Sequence, residues 1–112
     1  MRRDLPRGDV PTLILAVLAD GPAHGYAIAR AIEERSGSVL NLREGSLYPA
    51  LRTLEQQQLV VSSWEVQERG PARRMYTLTD AGREALRHRI DEWETYATAI
   101  AAVLGKRRLS YG

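Results

Sequence analysis

The sequence predicts a mainly helical fold with one small β-hairpin and a long C-terminal helix. Three observations support that prediction. Apolar residues recur with helical spacing in three successive segments between positions 9 and 57. A two-residue period then runs over residues 59–78 and is interrupted once, by Gly70-Pro71. The helical period returns from Thr79 and continues without a Pro as far as Gly105.

Composition favours a single globular domain. The 112 residues are enough for one hydrophobic core, and 44% hydrophobic with 27% charged residues is typical of a folded chain. Because the chain has no cysteine, disulfides and cysteine-based metal sites are excluded. The longest apolar run, residues 13–19, is too short to span a bilayer, and no signal-peptide pattern occurs. We therefore expect a cytosolic protein without membrane contact.

The formal net charge of +2 conceals clusters of arginine. All but one of the 16 basic residues are Arg, whose planar side chain forms bidentate hydrogen bonds with phosphate and guanine. A bias toward Arg codons would explain the composition alone, so the positions of the arginines matter more. The clusters lie in a predicted N-terminal arm (residues 1–8), around the hairpin turn and in a predicted C-terminal tail (residues 106–112): Arg2, Arg3, Arg7, Arg69, Arg73, Arg74, Lys106, Arg107 and Arg108.

The first two helices are predicted from their ends and their apolar spacing. Asp9 is a plausible N-cap for a helix that stops at Gly21-Pro22. A second helix runs from about His24 to Ser36 and places Arg30 and Glu34 one turn apart. The apolar residues with helical spacing in these two segments are Val10, Leu13, Ile14, Val17, Leu18, Ile28, Ala31 and Ile32.

A third helix has one apolar and one polar face. Its start has two interpretations: with Ser46 as N-cap, Pro49 lies in the permissive first turn, whereas a start near Arg43 requires Pro49 to bend the helix. The apolar face carries Leu47, Ala50, Leu51 and Leu54. The polar face carries Ser46, Tyr48, Arg52, Thr53 and Gln56.

The hairpin and the final helix follow. Strict alternation puts Val60, Ser62, Trp64 and Val66 on one face of the first strand, and Arg74, Tyr76 and Leu78 together on the second. Thr79 is then the N-cap of a helix that runs from about Asp80 to Leu104.

Three helices followed by a hairpin with a basic turn are the element order of a winged helix-turn-helix, which we assign to residues 9–78. In that fold the third helix enters the major groove of DNA and the hairpin, or wing, lies along the backbone. The hydrogen-bonding face of the third helix suits base edges, and the three wing arginines are opposed by Glu68 alone. The predicted DNA-binding residues are Ser46, Tyr48, Pro49, Arg52, Thr53, Arg69, Arg73 and Arg74.

Tyr26 and the exposed face of the third helix each have two interpretations. Tyr26, at the start of the second helix, either packs in the core or contacts a phosphate, and we include it among the DNA-binding candidates. The exposed face of the third helix is also compatible with a winged-helix module that binds a protein instead of DNA.

Three segments carry a resemblance to a known family. They are His24-Gly25-Tyr26 after Gly21-Pro22, residues 45–55 (GSLYPALRTLE) and residues 70–82 (GPARRMYTLTDAG). In these segments the chain resembles the PadR family of bacterial transcriptional regulators, and its single final helix is similar to the smaller subgroup of that family. The resemblance implies a dimeric repressor. Arg43-Glu44, Gln58 and Met75 depart from residues that are common in the family.

The final helix, residues 79–105, carries a coiled-coil pattern. Apolar residues recur at spacings of 4, 3, 4, 3 and 4. The helix would be about 37 Å long. The winged-helix domain of residues 9–78, which we call the head, has only about 70 residues and is too small to cover that length. Val10 and Ile14 of the first helix can cover part of the pattern, and a second copy related by a two-fold axis is the economical partner for the rest. The predicted dimer interface, the apolar seam, is Leu86, Ile90, Trp93, Ala97, Ile100 and Leu104.

Trp93 has two interpretations. Packing in the dimer interface is the simpler one. Alternatively, Trp93, Tyr96 and the small Ala97 form a flat cleft together with Val10 and Ile14. The resemblance favours this second interpretation, because multidrug-binding relatives stack planar ligands on a Trp of the corresponding helix. This second interpretation predicts a planar aromatic effector as a ligand, and packing in the dimer interface stays the alternative.

No constellation of residues predicts an enzyme. The sequence has no glycine-rich phosphate loop, no nucleophile elbow and no paired carboxylates in a plausible cleft. His24 is most simply a helix cap or a phosphate neighbour, and His88 lies on the outer face of the long helix. Neither histidine has a second ligand at metal-binding spacing. We therefore expect no metal and no cofactor, and we expect double-stranded DNA and a second copy of the chain as partners.

Overall fold

The computed structural model describes residues 3–4 and 9–105. The predicted order of three helices, a hairpin and a long helix is confirmed, and three short strands add to it. The basic tail and the rest of the predicted N-terminal arm lie outside the described residues. The elements in chain order are β1 (Arg3–Asp4), α1 (Val10–Leu18), β2 (Ala23–His24), α2 (Gly25–Arg35), β3 (Leu40–Asn41), α3 (Glu44–Gln56), β4 (Val60–Glu65), β5 (Arg73–Leu78) and α4 (Asp80–Leu104).

The hairpin has the predicted faces. β4 and β5 pair antiparallel with Ser62 opposite Tyr76 and Trp64 opposite Arg74, so these four side chains share one face. Val66 was predicted on the same strand, but β4 ends at Glu65. The sheet gains a third strand, because β2 pairs antiparallel with β5, and β1 forms a separate parallel pair with β3. The pairings of these two-residue strands were not predicted, because two residues are too few to show a period.

The core is built around α1. This helix contains no charged residue, which suits an element that packs against α2, α3, α4 and β5. The predicted apolar faces of α1, α2 and α3 are buried or half-buried, and Leu15 adds a fully buried residue that we did not predict. The buried apolar residues are Val10, Ile14, Leu15, Val17, Leu18, Ile28, Ile32, Leu42, Leu47, Leu51, Leu54, Val60, Tyr76, Leu78 and Leu86.

The helix starts agree only partly with the predicted caps. α3 begins at Glu44, so Ser46 is not its N-cap, and Pro49 lies inside the helix. Asp9 occupies the N-cap position of α1 but makes no side-chain cap bond. Thr79 is the confirmed exception, because its Oγ1 accepts a hydrogen bond from the Gly82 amide at 2.9 Å.

The start of α4 is tied to the end of α3. The Thr79 hydroxyl lies 2.8 Å from the Gln58 carbonyl oxygen and 3.1 Å from that of Leu59, to which the Thr79 amide also donates. Gly82 packs directly on the same segment: a Cβ added there would overlap the Leu59 carbonyl oxygen and the Leu78 side chain. The absence of a side chain at position 82 therefore sets how closely α4 approaches the wing.

The molecule is elongated because α4 projects from the head. Its radius of gyration is 15.9 Å, against about 13 Å for a compact chain of this length. Only Gly82 and Leu86 of α4 are buried. Within the described ranges, no helix is both long enough and apolar enough to cross a membrane.

The contact at Gly82 predicts unequal effects of two Gly-to-Ala substitutions. Gly82→Ala should lower the free energy of unfolding by about 1 to 3 kcal/mol, because backbone must move to admit the methyl group. Gly45→Ala is the matched control, since its added Cβ meets nothing within 4 Å. Inside a helix that change should be neutral or should stabilise by up to about 1 kcal/mol. Urea denaturation measures both, and equal effects would contradict the prediction.

Candidate nucleic-acid interface

The polar residues of α3 form one exposed surface. Ser46, Tyr48 and Arg52 are exposed, while Leu47, Leu51 and Leu54 on the opposite side are buried in the core. Burial of that apolar side fixes the rotation of α3 about its axis, so the polar side faces solvent. We call this surface the α3 face: Ser46, Tyr48, Pro49, Arg52, Thr53 and Gln56.

Tyr48 is positioned by a glycine in the preceding helix. A Cβ built on Gly25 would lie 2.7 Å from Tyr48 Oη and 2.9 Å from its Cε1. The tyrosine ring therefore rests on the start of α2, where any side chain would displace it. The ring remains 40% exposed. Sequence reasoning gave Gly25 no role, because the contact joins residues 23 positions apart.

Tyr26 lies outside the core. The core-packing interpretation is wrong, since the side chain is 69% exposed on the side of α2 away from Ile28 and Ile32. The Arg30 guanidinium donates to Tyr26 Oη at 3.2 Å and lies 5.9 Å from the ring centroid. The predicted Arg30–Glu34 pair is confirmed at 3.1 Å. Contact between Tyr26 and phosphate stays a prediction.

Arg74 is held on the wing by a cluster of polar side chains. Its Nε donates to Ser62 Oγ at 2.9 Å, and Ser62 in turn donates to Glu55 Oε2 at 2.8 Å. Its Nη2 lies 3.8 Å from the same carboxylate oxygen. Glu55 belongs to α3, so this Glu55–Ser62–Arg74 cluster ties α3 to the wing.

The prediction that Glu68 alone opposes the wing arginines is wrong for two of them. Glu55 faces Arg74, and Glu65 Oε1 lies 4.0 Å from Arg73 Nη2. These acids were not predicted as partners because strand pairing brings them to the arginines. Arg69, in the turn, forms no ion pair with any residue that the structure describes.

His24 belongs to this wing surface. It occupies the N-cap position of α2, but its side chain makes no cap hydrogen bond, so the predicted capping role is wrong. Its Nε2 instead lies 3.2 Å from Glu65 Oε1 on the neighbouring hairpin. Glu65 therefore lies between His24 and Arg73, which were predicted separately.

Tyr76 lies at the junction between α3 and the wing. Its burial raises the pKa of the phenol, and Arg74, Glu55, Tyr48 and Arg52 are all close enough to act on that pKa. The phenol therefore stays neutral at physiological pH. Its environment shows that residues of α3 and β5 converge on one region of the surface.

The predicted apolar seam of α4 is largely exposed. Leu86 is buried against the head, Ala97 is half-buried, and the large seam residues beyond Leu86 are all exposed, including Trp93 at 57%. The head therefore leaves most of this apolar stripe uncovered. The exposed large seam residues are Ile90, Trp93, Ile100 and Leu104.

A groove of about 860 Å³ lies between α1 and α4. Trp93 lines it, but Val10 and Ile14 do not, because both are fully buried beneath it. The prediction that these two residues line an effector site is therefore wrong, since the adjacent side of α1 faces the groove. The lining residues are Asp9, Thr12, Leu13, Ala16, Leu40, Leu86, Arg89, Ile90, Glu92 and Trp93.

Tyr96 is near Trp93 but lines a different recess. Their ring centroids are 6.1 Å apart and their planes are inclined by 38°. Tyr96 lines this second recess together with Thr95 and Ala99 rather than the groove beside α1. Among the described residues, no group of His, Asp or Glu side chains is arranged to hold a metal ion.

The fold and this surface define a class of protein. A helix with an exposed hydrogen-bonding face, joined by a polar cluster to an arginine-bearing wing, is the arrangement of a winged helix-turn-helix DNA-binding domain. Residues 14–88 match the model of the PadR-like family of transcriptional regulators. The chain belongs to this family, which confirms the resemblance and the prediction that it is not an enzyme.

Three curated relatives match the chain, and two of them are transcriptional regulators. The chain is 40% identical over 84 residues to the transcriptional regulator Rv3488 of Mycobacterium tuberculosis, covering 75% of each chain. It is 30% identical over 73 residues to the negative transcriptional regulator PadR of Bacillus subtilis, covering 65% of this chain and 40% of that protein. It is 51% identical over 78 residues to a 37.1 kDa protein in transposon TN4556 of Streptomyces fradiae. That match covers 70% of this chain but only 21% of the transposon protein.

A solved structure extends the similarity to α4. A transcriptional regulator from Clostridium thermocellum superposes with a TM-score of 0.82 at 27% sequence identity. The match covers 88% of this chain and 96% of that one, so it includes most of the long helix as well as the head.

Proposed function

We propose that this PadR-family regulator binds a palindromic operator as a homodimer, with the α3 face on base edges and the wing on phosphates. The observation that carries the proposal is the connection between the two parts. The Glu55–Ser62–Arg74 cluster fixes the exposed face of α3 relative to the wing before any DNA is present. A surface ordered in advance loses little side-chain entropy on binding.

Arg52 is the principal base-reading residue in this proposal. It is exposed at the centre of the α3 face and has no ion pair among the residues that the structure describes. Its guanidinium is therefore available for bidentate hydrogen bonds to guanine O6 and N7. Ser46, Tyr48, Pro49 and Thr53 flank it, and we assign them to base and backbone contacts nearby.

Phosphate binding falls to Arg69, Arg73 and Tyr26, with Arg74 as a supporting residue. Arg73 lies 4.0 Å from Glu65, a distance at which an exposed pair contributes little and a phosphate competes easily. Arg74 makes shorter contacts to Ser62 and Glu55, so its main role is to hold the wing. The relative from Bacillus subtilis is a negative regulator, and we propose that this chain also represses transcription.

Two arginine variants separate base reading from phosphate binding. Arg52→Ala should cost about 1 to 3 kcal/mol and relax sequence preference, whereas Arg73→Ala should weaken binding to all DNA and reduce the salt slope by about one. Arg87→Ala on α4 is the control, because Arg87 is exposed and pairs only with Glu84 in the described structure. Gel shifts on operators selected from random DNA, repeated over a salt series, measure all three. Binding that persists unchanged at high salt would instead indicate a protein-binding module.

The homodimer follows from the exposed apolar seam. A two-fold pairing of α4 helices covers Ile90, Trp93, Ile100 and Leu104 with identical residues of a second copy. It also places two α3 faces in one particle, as a palindrome with half-sites about 34 Å apart requires.

The dimer proposal predicts that a charge on the seam separates the chains. Ile100→Asp should yield monomers at micromolar concentration and lose affinity for a palindromic operator, since burying an unpaired carboxylate is costly. Thr98→Asp places the same charge on an exposed position of α4 outside the seam. Sedimentation equilibrium should show a dimer for this control. A monomeric wild-type chain would refute the proposal.

We place an effector site in the groove between α1 and α4, beside Trp93. Leu13, Ala16 and Ile90 give the groove apolar walls, and Arg89 and Glu92 are polar groups at its rim. A planar aromatic molecule stacked on Trp93 would bind between α1 and α4. It would change DNA affinity by favouring one separation of the two heads.

Trp93 fluorescence tests this site. Planar aromatic compounds should quench the wild-type protein, and the quenching should disappear in Trp93→Phe, which retains Trp64. Compounds that quench should also shift the midpoint of operator binding. If a broad panel leaves the fluorescence unchanged, the effector site is refuted while the DNA-binding proposal stands.

A further inference from the structure

Trp64 is an exposed tryptophan on the wing. Its side chain is 64% exposed, although Trp is among the residues with most to gain from burial. It belongs neither to the core nor to the apolar seam of α4. Phosphate binding by the wing arginines does not explain why this tryptophan is exposed.

The ring is held in a fixed position. Arg74 lies directly opposite Trp64 in the antiparallel pair, and its guanidinium carbon is 5.2 Å from the ring centroid. Arg74 is itself fixed by Ser62 and, through Ser62, by Glu55 of α3. One side of the ring therefore contacts a cation, and the remaining surface of the ring is open to solvent.

The strand register places the ring on the side of the wing that faces α3. Val60, Ser62 and Trp64 share one face of β4 because side chains alternate along a strand. Val60 is buried in the core, and Ser62 bonds to Glu55 of α3. Trp64 is the next residue in this row, one step farther from the buried Val60. A DNA backbone that borders the groove occupied by α3 would pass this position.

We propose that Trp64 packs against a deoxyribose of the DNA backbone, with Arg74 beside it on the same face of the wing. This inference rests on the proposed DNA binding. A sugar presents apolar C–H groups between two phosphates, and the wing presents an aromatic ring among arginines. Trp and Arg are also enriched in protein interfaces, but a protein partner at this position would leave affinity for DNA unaffected by Trp64→Ala.

The contact has a distinctive signature in binding measurements. Trp64→Ala should weaken affinity for specific and random duplexes alike by about tenfold, which is typical of the loss of one aromatic contact to nucleic acid. The salt slope should stay unchanged, because an apolar contact to sugar releases no counterion. Val61→Ala is the matched control, since Val61 is exposed on the opposite face of the same strand and should leave affinity unaltered.

Fluorescence supplies an independent measurement. Saturating operator DNA should change the tryptophan emission of the wild type more than that of Trp64→Phe. Both proteins retain Trp93, so the difference between them comes from Trp64. Thermal unfolding of each variant checks the fold, and Trp64→Ala should unfold within a few degrees of the wild type.

The outcomes are distinguishable. If the wild type binds no DNA, the proposed function and this inference fail together. If the wild type binds DNA but Trp64→Ala retains its affinity, or reduces the salt slope as a phosphate contact would, the inference alone is overturned. An equal emission change in the wild type and Trp64→Phe would also overturn it.

Discussion

The structure depends on the burial of α1. This helix has no charged side chain and contacts α2, α3, α4 and β5, so it is the common support of the head. Each fully buried Val, Leu or Ile contributes about 1.5 to 3 kcal/mol, and Ile14 and Leu15 have no exposed surface. The α3 face is polar on the outside because α1 holds its apolar side. The seam on α4 is exposed because α1 can cover only the first part of that helix.

The wing is attached by a different kind of interaction. Near the core, Val60 and Leu78 join β4 and β5 to the hydrophobic interior. Farther along the strands the contacts are polar, and Ser62 and Arg74 connect the wing to Glu55 of α3. Such hydrogen bonds contribute modestly to stability but depend strongly on geometry. The cluster therefore fixes the angle of the wing and leaves its outer arginines accessible.

Much of the fold was predictable, because long segments show their own periods. The four helices appeared as helical apolar spacing and the two long strands as a two-residue period, and the polar face of α3 followed from its helical spacing. Pairings between distant positions were not predictable. Gly25 beneath Tyr48, Glu55 beside Arg74 and His24 beside Glu65 join residues 19 to 41 positions apart. Val10 and Ile14 were misplaced because helical spacing identifies a buried face without showing what covers it.

The contact at the start of α4 has a mechanical consequence. The Leu59 carbonyl accepts hydrogen bonds from the Thr79 amide and hydroxyl and lies against Gly82. The start of α4 is therefore tightly packed against the head. Over the roughly 37 Å of α4, a tilt of about 5° at its start moves the far end by about 3 Å. α4 acts as a lever with a stiff pivot. In the proposed dimer, the spacing of the two α3 faces then depends on residues 59, 79 and 82, none of which belongs to the α3 face.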